Sequence, residues 1–178
     1  MARGEHEVAG RWAQTADEIK ADILEHGVDK RGVLTQYYGT EALDGSTLLA
    51  AIFGFLPAGD KRLRASVLAI ADELTENGFV LRYRTNQTDD GMSGKEGTFV
   101  ICSFWLVSAL AIIGDMQRAR DLMQKLVRIA SPLGLYSEEF DVDTGRDLGN
   151  FPQAFSHLAL VEAAGRIVLA DRIAELGT

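Results

Sequence analysis

The sequence predicts an all-α fold of a particular kind: a partial α/α toroid of about three helical hairpins. Two observations carry this. Segments apolar on every side alternate along the chain with segments apolar on one side only. Short Gly/Asp turns alternate with long irregular loops. A helix that is apolar all round touches neighbours all round, whereas an amphipathic helix shows one face to water. The first kind therefore forms an inner layer and the second an outer layer. The alternation of loop lengths gathers the long loops at one end of the ring and the short turns at the other.

The first helix is expected over about Glu5–His26, where Val8, Trp12, Ala16, Ile19 and Ile23 recur at helical spacing. Gly27 is a plausible stop. This helix would be an outer one whose inner partner lies upstream. Val28–Leu43 is not helical. Its glycine-bounded run Gly32–Gly39 reads as an extended loop or a short strand. The Tyr37-Tyr38 pair within it is either core or a surface that stacks on a ligand. A second helix, Asp44–Phe55, has Asp44 or Ser46 as N-cap and an apolar middle, so it is expected to be buried all round. Pro57 and Gly59 end it.

Asp60 caps a third helix to about Glu76, with Leu63, Val67, Ile70 and Leu74 facing inward. Arg62 and Arg64 stand at its start, where the helix dipole disfavours cations. Phe79–Gly97 is a long irregular stretch that opens on strand-like Val80–Arg84. Arg82 and Arg84 would share one side of an extended segment, either as surface arginines or as a guanidinium fork for a polar ligand. Asp89-Asp90 lacks the ligand spacing of a calcium loop. Thr98–Ile113 is the fourth helix, apolar nearly all round, and Cys102 reads as a small buried hydrophobe.

Asp115 caps an amphipathic fifth helix, Met116–Ala130. The stretch Leu133–His157 then breaks the helical period at Gly134, Asp141, Asp143, Gly145 and Gly149, and it carries adjacent Glu138 and Glu139. A long acid-bearing loop inside a helical domain points to function. A sixth helix is expected over Pro152–Ala164, and a short seventh over Arg166–Leu176, either separate or the same element continued past a kink at Gly165.

Composition narrows the function. The formal net charge of −8 argues against a nucleic-acid partner and against an anionic membrane surface. No apolar run reaches the length of a membrane span. The single cysteine excludes an internal disulfide. The N-terminal residues have no signal-peptide core, so a cytoplasmic location is the expectation.

The stretches GKEGTFVICSFWLVSALAIIGDMQRARDLM and LGLYSEEFDVDTGRDLGNFPQAFSHLALVEAA resemble the C-terminal part of an inverting glycoside hydrolase family. That family, the fifteenth of the carbohydrate-enzyme classification, holds glucoamylases, glucodextranases and bacterial and archaeal trehalases. GVLTQYYGTEALDGSTLLAAIFGFLP is similar to the family's stretch before and through an inner helix. The resemblance covers essentially the whole chain. It implies an (α/α)6 barrel, of which residues 1–178 would be the C-terminal portion of the catalytic domain.

Inverting hydrolysis uses a general acid on the leaving oxygen and a general base that activates water on the opposite face. The resemblance makes Glu138 the base. It makes Glu139 a neighbour that binds sugar hydroxyls or raises the base's pKa by like-charge repulsion. Arg82 resembles the arginine that grips the sugar, with Arg84 as the other match. Glu96 would reach the pocket or cap the fourth helix. His157 reads as a packed, hydrogen-bonded histidine.

The family's acid lies in an upstream Trp-Glu motif. Here Trp12 is followed by Ala13-Gln14 and Trp105 by Leu106-Val107, so neither carries it. The expectation is the C-terminal part of an exo-acting inverting α-glucosidase acting on trehalose or α-glucan ends, with the base and without the acid. It would need an N-terminal half, or would self-associate through uncovered apolar flanks. The alternative is a truncated, non-catalytic half-barrel that binds sugar or a partner protein. The mechanism calls for no cofactor and no metal.

Overall fold

The computed structural model describes residues 3–87 and 96–177. Six α-helices follow in order: α1 Arg3–His26, α2 Leu49–Ile52, α3 Lys61–Glu73, α4 Val100–Ile112, α5 Met116–Arg128 and α6 Ala154–Leu176. A 3-10 turn, Gly45–Leu48, leads directly into α2. Central to the molecule is α4, which packs on α6, α5, α2 and α3. Residues Val100, Cys102, Phe104, Leu106, Val107, Ala109 and Leu110 of α4 are all buried, so this helix is inner, as its all-round apolar sequence requires. Helices α3 and α5 bury one stripe each: Leu63, Val67 and Ile70 on α3, and Ala119, Leu122 and Leu126 on α5. The arrangement is a partial helical ring in which α4 is inner and α3 and α5 are outer, while α6, expected to be buried, buries only Ser156, Ala159 and Ala163.

The arginines at the start of α3 have an account in the structure. Arg62 folds back on the N-cap, its guanidinium Nη2 2.8 Å from Asp60 Oδ2. The hydrogen bonds of the Arg62 side chain and backbone lower the Asp60 carboxyl to about 2. Arg64 reaches away from its own helix and donates to the carbonyl of Ile113 at 3.1 Å, at the end of α4. Neither cation is left against the helix dipole.

Four features differ from the sequence expectations. The second helix is a single short turn of α-helix after the 3-10 turn. It is not buried all round: Leu48 and Ala51 are inside, but Phe53 is 79% exposed. The third helix stops at Glu73, because Asn77 and Gly78 take positive φ (50° and 88°) and turn the chain into a hairpin. Its strands are β1 Thr75–Glu76 and β2 Phe79–Val80, a two-residue connection of the kind that favours Asn-Gly.

The loop regions also contain a small sheet of β3 Thr98–Phe99, β4 Glu139–Asp141 and β5 Arg146–Leu148, paired antiparallel in that order. Finally, the expected sixth and seventh helices are one. α6 runs unbroken through Gly165, where an added Cβ would meet nothing within 4 Å. The helix runs past it because glycine costs a helix only about 1 kcal/mol relative to alanine.

Among the described residues, the contacts that hold helix α1 come from its C-terminal turns. Tyr38 Oη donates to Asp22 at 2.6 Å, and Lys20 Nζ sits 5.3 Å from the Phe55 ring centroid. Val8, Trp12 and Ile19 stand in solvent. None of the described helices is long and apolar enough to cross a membrane.

Candidate active site

Long connections run from α1 to the 3-10 turn, from α3 to α4 and from α5 to α6. Their described residues come together at the N-terminal ends of the inner helices and line a cavity of about 470 Å³. Its lining includes Asp44, Arg82, Tyr83, Trp105, Glu138, Gln153 and Phe155. Asp44 caps the 3-10 turn, accepting from Ser46 N at 2.7 Å. Gln153 is the N-cap residue of α6, and Glu138 presents its carbonyl to the first amide of α4, Val100 N, at 3.1 Å. Helix N-termini carry partial positive charge. A site built on three of them suits a carboxylate and the electron-rich oxygens of a polar ligand.

The Glu138 side chain is held on one oxygen. Asn150 donates to Oε2 twice, from its backbone N at 3.1 Å and from Nδ2 at 2.8 Å. The backbone on both sides is also fixed. Ser137 is buried at 1% exposure, and its carbonyl accepts from Ser156 Oγ at 2.8 Å. Glu138 N donates to Asn150 O at 2.9 Å.

Arg82 lines the same cavity. Its guanidinium carbon lies 4.5 Å from the Tyr83 ring centroid and 5.3 Å from that of Phe99. It donates to Tyr83 Oη and stands 4.0 Å from Glu96. Its Nε is buried and has no hydrogen-bond partner among the described residues. Arg84 does not share this site, so the two arginines form no fork. Its Nε donates to the Glu73 carbonyl at 3.1 Å, at the C-terminal end of α3. Of the two, Arg82 is the one on the cavity.

Glu96 and Glu139 flank the cavity without contributing to its lining. The Glu139 carboxylate accepts from Gly97 N at 2.8 Å, across the β3–β4 pairing. Burial pushes the Glu139 carboxyl above its ordinary 4.5. The Gly97 hydrogen bond opposes the rise, and Glu96 and Glu138 add to it. The native state therefore binds this proton more readily than the unfolded chain does, so ionising Glu139 costs stability as pH rises. Glu139→Gln keeps an oxygen for Gly97 N–H and is expected to raise the melting temperature near neutral pH. Below pH 4.5 the gain should vanish, which a series of thermal melts against pH will show.

His157 is a packed histidine. Its Nε2 accepts from Tyr136 N at 3.3 Å and its Nδ1 donates to Gln153 O at 2.7 Å, an arrangement that requires the Nδ1-protonated ring. Cys102 is buried, and burial pushes its thiol up to about 12, which leaves no thiolate for chemistry. Tyr37 and Tyr38 are about half exposed beside α1 and line a separate groove, so neither is core. No group of three His, Cys, Asp or Glu side chains among the described residues could hold a metal ion. Asp89-Asp90 lies outside the described residues.

Comparison with known proteins places this arrangement. The description "Glycosyl hydrolases family 15" matches residues 1–165. The chain belongs to that family. Within glycosyl hydrolases family 15, the chain is 61% identical over 173 residues to a trehalase of Mycolicibacterium smegmatis. That alignment covers 97% of this chain and 26% of the relative. A Mycobacterium tuberculosis trehalase is 61% identical, with 25% of its length covered. A Thermoplasma acidophilum trehalase is 39% identical over 158 residues, covering 88% of this chain and 27% of the relative. The chain therefore spans about a quarter of the curated relatives it matches.

Solved glycosidases share the fold. A wild-type glycosidase superposes with a TM-score of 0.74 at 24% identity, covering 88% of this chain and 44% of that one. A glycosidase variant in complex with glucose superposes with a TM-score of 0.76 over the same shares of each chain.

Residues that sequence reasoning left out of this family site share one place in the hairpin repeat. Asp44 and Gln153 each stand immediately before an inner helical element. Glu96, named from the sequence, does not cap α4, whose N-cap residue is Phe99. That register was visible in the chain as the step from long loop to apolar helix. Trp105 and Phe155 gave no such sign, because an aromatic ring in an apolar helix reads first as core.

Proposed function

We propose that this chain carries the general-base side of an inverting glycosidase pocket that takes a terminal glucose, with trehalose as the favoured substrate. One observation carries the reading: Glu138 lies on the cavity at the N-terminal ends of the inner helices, with a single carboxylate oxygen held. Glu138 takes a proton from water as that water attacks the anomeric carbon, on the face opposite the leaving oxygen. Arg82 grips the sugar through its Nη groups. Glu96 and Glu139 act at the rim, on the sugar's hydroxyls or through charge on the base. Trehalose is favoured over α-glucan ends because the relatives at 61% identity are trehalases.

The general acid comes from outside the chain. Among the described residues Asp44 is the other carboxylate on the cavity lining, and it is committed to Ser46 N and to Gln36 Nε2 at 3.3 Å. The uncovered faces of the ring support an upstream half as its source. On α6, Leu158, Val161, Val168, Leu169, Ile173 and Leu176 are between 58% and 87% exposed. They recur at helical spacing as one apolar stripe, which calls for a covering surface. Each trehalase relative holds most of its length outside the part matched here, enough chain to supply it.

The test uses two proteins: this chain alone, and a chimera in which it replaces the matching segment of the Mycolicibacterium smegmatis trehalase. Each is given trehalose, maltose and isomaltose, and the anomers of released glucose are followed by NMR. We expect the chimera to cleave trehalose into one α- and one β-glucose, as inversion at one centre demands, and the isolated chain to release none. Two α-glucoses would overturn inversion. An inert chimera would favour the non-catalytic half-barrel.

A further inference from the structure

We propose that Asn150 is a positioning residue for Glu138, and that it selects which carboxylate oxygen takes the proton from water. The inference rests on Glu138 being the base. The contact is reciprocal: Asn150 N and Nδ2 donate to Glu138 Oε2 at 3.1 and 2.8 Å, and Glu138 N donates to Asn150 O at 2.9 Å. Oε1 accepts no hydrogen bond from the described residues, so the clamp occupies one oxygen and leaves the other for water.

The backbone is shaped for this approach. Gly149 has φ +69°, and a Cβ there would fall 2.8 Å from Glu138 Oε2 and 3.0 Å from Glu138 Cβ. Only glycine lets the strand come this close without displacing the carboxylate. Leu148, just before it, is in register with Glu139, so the clamp sits just beyond the end of the β4–β5 ladder, where Glu138 immediately precedes β4.

Neither backbone bond needs an asparagine, since any non-proline residue supplies N and O. The side-chain Nδ2 bond is the part specific to Asn150. Asn150 is exposed, and its amide is spent on Glu138. Its contribution should therefore appear when water attacks and not when sugar binds. A flexible glutamate loses side-chain freedom on being held, and misplacing a reacting group by about 1 Å costs on the order of 10²-fold in rate.

The experiment measures kcat and KM for trehalose in the chimera for Asn150→Ala, Asn150→Asp and Glu138→Gln, with a thermal melt of each. We expect Asn150→Ala to lower kcat by about 10- to 100-fold with KM and melting temperature little changed. Asn150→Asp has the same shape but sets an oxygen against Oε2, and we expect it to lose at least as much. A kcat at the parent level in Asn150→Ala, with Glu138→Gln inactive, would sink the clamp and leave the base in place. A loss of kcat with an equal rise in KM, or a collapse of the melt, would show a merely structural role. Full turnover in Glu138→Gln would remove the base reading and the clamp together.

Discussion

Glu138→Gln in the chimera is expected to lose turnover by on the order of 10²- to 10⁴-fold, the usual worth of a positioned general base, while glucose still binds. The amide has the size of the carboxylate and can still face Asn150, so the loop need not move. It cannot accept a proton from water at any useful pH. The attacking water is then a weak nucleophile, and only the contributions of the acid and of substrate orientation remain. In the proposed site the sugar is gripped by other groups, Arg82 foremost, so affinity should persist. Rate measurements paired with titration calorimetry against glucose separate the two effects. Turnover near the parent level would remove Glu138 as the base, and lost binding would make it a sugar ligand instead.

Phe104→Ala is expected to cost about 3–5 kcal/mol of stability, a large share of the roughly 5–15 kcal/mol that holds a domain together. Phe104 is completely buried in α4, its ring edge-on to Tyr136 with centroids 5.4 Å apart. Tyr136 in turn stands 5.6 Å from His157, and its carbonyl accepts from Gln153 N at 2.9 Å. This column supports the start of the Glu138 loop from beneath. A cavity at Phe104 removes dispersion contacts that rigid neighbours cannot regain.

In a thermal melt the midpoint should fall by on the order of 10 °C. Ile173→Ala is the control. Its side chain is 62% exposed in the chain alone, and truncation there should change the melt little. In the chimera, where the proposed upstream half would cover α6, the same change should destabilise. A neutral Phe104→Ala would show that the loop does not rest on this column.

Much of this was readable in the chain because helical burial has a local signature. The all-round apolar run from Val100 to Ile112 and the one-sided run from Met116 to Arg128 show their layers without reference to any other segment. The β-structure was not readable in this way. Strands of two or three residues are too short to display an alternating pattern. The pairing of Thr98 with Phe140 spans forty-two residues and leaves no local mark. Asn77-Gly78 did carry a hairpin signal, hidden because it follows directly on a helix whose apolar period runs to Leu74. The two segments expected on either side of Gly165 are one helix: Ala163 before it and Ile167 after it both pack against the core.

The sequence by itself determined the layered helical ring, the loop that bears Glu138 and the family that both belong to. These follow from periodicity, from turn residues and from motifs, all of which are written along the chain. Tertiary structure alone decided that Arg82 faces the cavity while Arg84 caps α3, and that Glu139 is tied to Gly97. It also placed Asn150 on one oxygen of Glu138. Each of these is a hydrogen-bond choice among groups brought together by folding. A guanidinium or carboxylate takes whichever partner the packed backbone puts within about 3 Å, and no spacing in the chain records which partner that is.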